Sequence, residues 1–159
     1  MESFDGYFED FEEGMRFRTA ARTLTEADIV NFAGLSGDFN PIHVDAETAS
    51  RTEFGQRIAH GMLVLSVATG LATSQGVVGE KVRAFLGLDW KFREPVMIGD
   101  TVHVELVVAQ MRDARRLGGG LLTFDVRVLK QDGKVAQKGT WSLLLKKRPA
   151  EGQSDGDPS

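Results

Sequence analysis

"IAHGMLVLSVATGLATSQG", Ile58 to Gly76, decides how the rest of the chain is read. Its apolar residues come without an extended polar face, so a helix over this stretch would be buried nearly all round. Gly76 and Gly79 supply its stop. The apolar core of the run, Gly61 to Ala72, falls short of the ~20 residues that span a bilayer, which makes it a core element. A lone apolar helix needs cover around most of its circumference, and the chain beyond residue 80 supplies it.

There the hydrophobic period becomes two. In "VHVELVV", Val102, Val104, Leu106 and Val108 alternate with His103 and Glu105; in "LLTFDVRVLK", Leu122, Phe124, Val126 and Val128 alternate with Thr123, Asp125 and Arg127. Such alternation marks half-buried strands. "QDGK" puts Asp132-Gly133 where a tight hairpin needs it, and the return strand carries Val135, Trp141, Leu143 and Leu145 on one face. "RAFLGLDWKFREPV" predicts another strand, with Ala84, Leu86, Leu88, Trp90 and Phe92 on one face and Pro95 at its end. "MRFRTAART" predicts a weaker one. The expected order is strand, helix, polar stretch, central helix, then four strands in hairpin succession. That is an α+β plan in which an antiparallel sheet wraps one buried helix.

A length of 159 residues at 42% hydrophobic content suits one domain, expected over residues 1–148. The final "RPAEGQSDGDPS" has no apolar anchor, so residues 149–159 are expected to be a disordered tail. A net charge of −4 gives no summed positive field for nucleic acid or an anionic membrane. Without cysteine there is neither disulfide nor thiolate nucleophile. The opening "MESFDGYFEDFEEG" is acidic, unlike a secretory signal, and the cytoplasm is the expected compartment.

In "LTEADIVNFAGLSG", Thr25 can N-cap a helix with Asp28 as its capping partner, and Leu24 can staple against Ile29. Ile29, Phe32 and Ala33 form one face, and the helix is expected to end at about Gly34. "LSGDFNPIHVD", Leu35 to Asp45, follows. Asp38 and His43 are five apart and would point to opposite sides of a helix, so they converge only if the intervening chain is not helical. Pro41 predicts that, by holding Asn40 in an extended or turn conformation. A convergent pair could share a water and perform general acid-base catalysis without nucleophile, metal or organic cofactor, histidine titrating near neutrality. Equally, Asp38 can cap a turn and His43 can be a satisfied loop residue; spacing alone leaves both readings standing. Asp45 suits the cap of "AETASR".

In "RIAHGM", a helix beginning at Gly61 leaves its first N–H groups unpaired at the positive end of the dipole, as donors for a developing oxyanion. Gly61 could also be a plain helix start. His60 could complete a set of two histidines and a carboxylate with Asp38 and His43. His103 reads as a solvated residue on the outer face of its strand. "ARR", Ala114 to Arg116, precedes "LGGG" in a hairpin loop, which is either simply solvated or a phosphate contact.

"FAGLSGDFNPIHVDAETA" followed by "IAHGMLVLSVATGL" resembles the MaoC-like, hydratase 2 family of (R)-specific enoyl-CoA hydratases, whose signature is Asp-x-Asn-Pro-x-His and then His-Gly-Met at the central helix. "LDWKFREPVMIGDTV" is similar to that family's strand after the helix, so the likeness covers residues 10 to 146. The resemblance implies a hot dog fold, a curved antiparallel sheet around a central buried helix. It implies Asp38 and His43 as the catalytic pair for syn hydration of a trans-2-enoyl-CoA to a (R)-3-hydroxyacyl-CoA, with Asn40 and Pro41 supporting them and the Gly61 N–H as oxyanion donor. Thr69 falls where some relatives have a serine near the pair. A homodimer or higher homo-oligomer with acyl-CoA across its interface is implied, with no metal and no cofactor, CoA being part of the substrate. Nucleic acid and membrane are not expected partners. A hot dog acyl-CoA thioesterase and a non-catalytic acyl-CoA binding subunit share these ingredients and are the alternatives.

Overall fold

A computed structural model describes residues 4 and 6–149; the tail expectation for residues beyond 149 lies outside them. The apolar run is helix α4, Gly61–Ser74, with Leu63, Val64, Leu65, Val67, Ala68 and Ala72 buried along it. It is not buried nearly all round as expected: Met62, Ser66, Gly70 and Thr73, spaced three or four apart on one side, are exposed, because the sheet covers only the opposite side. Three shorter helices precede it: α1 (Glu26–Ser36), α2 (Pro41–Val44) and α3 (Ala46–Ser50). Six strands form one antiparallel sheet: β1 (Arg16–Arg18), β2 (Arg22–Thr23), β3 (Val82–Phe92), β4 (Thr101–Ala114), β5 (Gly119–Lys130) and β6 (Val135–Leu145). Among the described residues no helix is long and apolar enough to cross a membrane.

The alternation in the sequence becomes register. Val104 faces Val128, Leu106 faces Val126, and Phe124 faces both Val108 on β4 and Trp141 on β6. All of these are at most 1% exposed, because directly opposed residues share a face and this face covers α4. Asp132-Gly133 makes the predicted turn: Gly133 has φ 80°, and the Lys130 N–H donates to Lys134 O at 2.9 Å. This is the hot dog arrangement.

Strand order departs from hairpin succession. β3 does not pair with β4; the order is β1-β4-β5-β6-β3, with β2 also on β4. The far side of β4 is occupied by β1 and β2, while β6 offers an open edge, so the chain from Arg93 to Asp100 crosses between opposite sides of the sheet. It passes the start of α4, where the Ala59 N–H donates to Val96 O at 2.7 Å and Ile58 bridges to Met97. Asp100 anchors its end: its carboxylate accepts from the Met97 N–H (2.8 Å) and Gln131 Nε2 (2.6 Å) and pairs with Lys130 Nζ at 2.7 Å.

Bulges correct two expected faces, since an extra residue reverses every side chain on one flank of it. Register shifts in β3 fall between Val82 and Ala84 and between Phe85 and Gly87. Phe85, opposite Leu143, therefore joins Leu88, Trp90 and Phe92 on the inner face, whereas Ala84 lies opposite Leu144 and Leu86 takes the extra position. In β6, Gln137 keeps its inward place opposite Val128, but the shift beyond it pairs Val135 with Leu129 and turns Val135 off the inner face where it was expected.

α1 has the predicted box: Thr25 Oγ1 accepts the Asp28 N–H (3.4 Å) and Asp28 Oδ2 accepts the Thr25 N–H (2.8 Å). Leu24 and Ile29 are both fully buried. The helix runs past Gly34 to Ser36, and Gly37 at φ 76° ends it. His103 is not solvated as expected: its side chain is 14% exposed. It lies on β4 where β1 and β2 run alongside, cover that a two-residue period does not report. Burial pushes its pKa down, Arg18 adds to this, and Glu105 opposes it.

Burial pushes the Asp100 pKa up, but hydrogen bonds from Gln131, Lys130 and the Met97 N–H, with the charge of Lys130, outweigh it and hold the carboxyl below its ordinary value. A carboxyl depressed in the folded state stabilises above its unfolded pKa and loses that contribution as pH falls through the folded one. We therefore expect Asp100→Asn to lose stability to chemical denaturation at pH 7, and its gap to the native protein to narrow steadily below about pH 4. A gap of constant size from pH 7 to pH 3 would contradict this.

Candidate active site

Gly37 turns the chain out of α1, and residues 37–40 are not helical. Asp38 Oδ1 accepts the Asn40 N–H at 3.2 Å, and Asn40, extended at φ −54° and ψ 131°, N-caps α2 by accepting the Ile42 N–H at 3.3 Å. Pro41 is thus the first residue of a helical turn, where its missing N–H costs nothing, rather than a break before His43. The non-helical link needed for convergence is Asp38 to Asn40. Asp45 caps α3 as expected, accepting from the Glu47 and Thr48 N–H groups at 3.0 and 3.1 Å. The Thr48 hydroxyl, then the two N–H groups, hold its carboxyl below its ordinary pKa.

His43 is 7% exposed and His60 2%. His43 Nδ1 donates to Ile58 O at 2.7 Å, and since a carbonyl only accepts, the neutral ring carries its proton there and leaves Nε2 as a base. His60 Nε2 donates to Asp38 O at 2.9 Å. Its Nδ1 is then an acceptor, buried and without a partner among the described residues. The two rings lie against each other with centroids 3.8 Å apart, tilted by 30°. Asp38, His43 and His60 each bring one polar atom within 4.8 Å of the others.

That cluster has the composition of a metal site, two histidines and a carboxylate, but each ring already commits one nitrogen to a backbone carbonyl. Either ring could turn only by giving up its bond to Ile58 or Asp38.

α4 begins at Gly61, as the sequence predicts, with His60 at the N-cap and no side chain capping the first turn. A Cβ at Gly61 would sit 2.7 Å from Cε1 of Phe92, so a side chain there is opposed by the close ring, which would have to move, and not by backbone torsion. His43 and Gly61 both face a cavity of about 490 Å³ whose wall also includes Phe54, Met62, Phe92 and Gln137.

Thr69 is not brought to this group. It lies eight residues along α4, roughly 12 Å at 1.5 Å per residue, and its hydroxyl donates to Ser66 O at 2.8 Å. Nor is the Ala114–Arg116 loop: it joins β4 to β5 where Ala114 faces Gly119, while the site adjoins the other end of those strands, where Val102 faces Lys130. Gln137 was not singled out by its sequence. The one signal available was a polar residue among the inward positions of β6.

Residues 10–127 match the family described as MaoC like domain. The chain belongs to the MaoC-like dehydratase family. It is a hydro-lyase by that membership. It is 42% identical to the (R)-specific enoyl-CoA hydratase of Rhodospirillum rubrum over 150 residues, 92% of this chain and 94% of that one. Protein MaoC of Klebsiella aerogenes is 46% identical over 104 residues; these are 65% of this chain but 30% of that longer protein. The solved structure of the monoamine oxidase regulatory protein from Archaeoglobus fulgius matches at a TM-score of 0.85 and 38% identity, covering 91% of this chain and 97% of that one.

The MaoC-like site gives Gly61 a direct test. Phe92 is 56% exposed and can swing away, so Gly61→Ala should fold. The displaced ring and new methyl would then disturb the first turn of α4 at the cavity wall. Turnover of an acyl-CoA substrate should fall about tenfold or more, with a melting temperature near that of the native protein. Unchanged turnover would remove Gly61 from the site.

Proposed function

We propose that the chain is an (R)-specific enoyl-CoA hydratase, adding water reversibly to a trans-2-enoyl-CoA to give a (R)-3-hydroxyacyl-CoA. The observation that carries this reading is that His43 and the first turn of α4 at Gly61 share the wall of one apolar cavity, while the exposed Asp38 brings a carboxylate oxygen within 4.8 Å of a His43 ring nitrogen. The near full-length likeness to a relative named for this activity supports the same reading.

In the proposed reaction the thioester carbonyl oxygen accepts the Gly61 N–H, which draws electron density from C3 of the conjugated double bond. A water held between Asp38 and His43 attacks C3. One of the pair takes the proton the water loses, and the resulting enolate collects a proton at C2 on the same face, so that hydrogen and hydroxyl arrive syn. The overall change is the addition of one water, with no oxidation or reduction, and it requires neither metal nor cofactor.

The acyl-CoA is proposed to lie across a homodimer. β3 is an edge strand with one side unpaired, and it exposes Phe85, Leu86 and Leu88 by 39%, 48% and 46%. An exposed apolar edge is a template for pairing, and two β3 strands would join two sheets.

Asp38→Asn and His43→Gln should each lower hydration of a short trans-2-enoyl-CoA, followed by loss of conjugation absorbance, by about 100-fold or more, with the melting transition retained. Full turnover in either variant would sink the assignment. Free CoA, followed with a thiol reagent, should not appear; its release from saturated acyl-CoA without hydration would favour a thioesterase. Dialysis against a chelator should leave the rate untouched, and a metal-restored loss would overturn the metal-free mechanism.

A further inference from the structure

We propose that Gln137 is a positioning residue for this reaction, holding the first turn of α4 so that the Gly61 N–H meets the thioester carbonyl. The inference rests on the hydratase reading above and adds a residue to it.

Gln137 is 2% exposed and lies in the cavity wall, a costly place for an amide unless its polar atoms are used. They are used in a defined direction. Trp90 Nε1 can only donate, so the atom it meets at 2.8 Å is Oε1 of Gln137. The amide nitrogen then faces the other way, and Nε2 donates to Gly61 O at 2.9 Å. Each partner alone would orient the amide, and the two agree. Behind it, Trp90 stacks on the fully buried Trp141 at 5.9 Å and 28°. Core packing thus reaches the start of α4 through two hydrogen bonds.

Phe92 completes the grip. It stands directly opposite Gln137 in the pairing of β3 with β6, and its ring occupies the space a Cβ of Gly61 would take. One register position therefore supplies a polar hold on the Gly61 carbonyl and an apolar stop against its Cα. Glycine is the least restrained residue on which to mount an oxyanion donor, and the first turn of a helix lacks the bonds that stiffen later ones. Gln137 and Phe92 provide that restraint from outside the helix. The Gln137 bond falls on the peptide joining Gly61 to Met62, the unit that follows the donor N–H.

The test uses the full-length protein with Gln137→Met, Gln137→Glu and Trp90→Phe. Gln137→Met, which fills the space without hydrogen bonds, should lower kcat by about 10- to 100-fold and change KM by less than about threefold. The infrared band of a carbonyl-labelled saturated acyl-CoA should move, on binding to that variant, back toward its position in water. Affinity for the matching thioether, which lacks the carbonyl, should stay the same. Gln137→Glu should be similarly slow at neutral pH, where an ionised carboxylate cannot donate to Gly61 O, and its turnover relative to the native protein at the same pH should rise in acid, where the protonated group can donate. Trp90→Phe frees Oε1 and should give a smaller loss of the same kind, which keeps the test open if Gln137→Met does not fold. A native kcat and carbonyl band in Gln137→Met, or equal loss of thioether and thioester binding, would overturn the inference. Absence of hydration by the native protein with every enoyl-CoA tried would instead overturn the functional reading, while the carbonyl band would still report on Gln137.

Discussion

The burial of α4 inside the curve of the sheet is the interaction from which the other distances follow. β4, β5 and β6 supply three rows of inward residues whose directly opposed members are nearly all closed to solvent. Burying a side chain of this size contributes roughly 1.5–3 kcal/mol, so a helix with six buried residues on its sheet-facing side has no cheap way to slide or turn. Whatever stands at its first turn is consequently fixed relative to the strands. That is the property a helix end needs if its N–H groups are to serve a reaction, because an oxyanion donor works by being in place before charge develops.

The loop that carries Asp38 and His43 is attached to this frame by short-range chemistry. Gly37 ends α1, Asn40 caps α2, and Asp45 caps α3, so three terminators within nine residues fold the chain back without needing a core of their own. The loop then meets α4 through its two histidines. His60, at the N-cap of α4, bonds the Asp38 carbonyl, and His43 bonds the carbonyl of Ile58 just upstream. Each segment thus donates one imidazole N–H to the other, and the two rings fill the space between them.

Local signals in the sequence were read well where the cause was local. The capping box at Thr25 and Asp28, the Asp132-Gly133 turn and the start of α4 at Gly61 each depend on a few neighbouring residues. Strand faces were legible until a bulge intervened, as at Phe85 and Leu86, because an extra residue in one strand is visible only against its partner. The placing of β3 beside β6 was lost for the same reason, since free edges are a property of the assembled sheet. Of the candidate site, Asp38, His43 and Gly61 were singled out by residue type and spacing, which left a plain loop and a plain helix start equally open until the family resemblance was added. Gln137 was not singled out, because nothing in "VAQKGTW" reports that Trp90 and Gly61 stand on either side of it.

His60 and Gln137 solve opposite problems within a few ångströms of α4. Gln137 is a buried polar group whose two bonds join β3 to the helix, so its desolvation is offset by what it holds in place. His60 donates its Nε2 proton to the Asp38 carbonyl, so its Nδ1 is a buried acceptor with no protein partner among the described residues. His43 donates its proton to Ile58 O and an ionised carboxylate at Asp38 only accepts, so these side chains offer more acceptors than donors. Such a set is matched by a small molecule that brings protons of its own. Water brings two, which is enough to satisfy a pair of those acceptors while its oxygen stays free to attack. That preference for a molecule bringing its own protons suits the nucleophile of the proposed hydration.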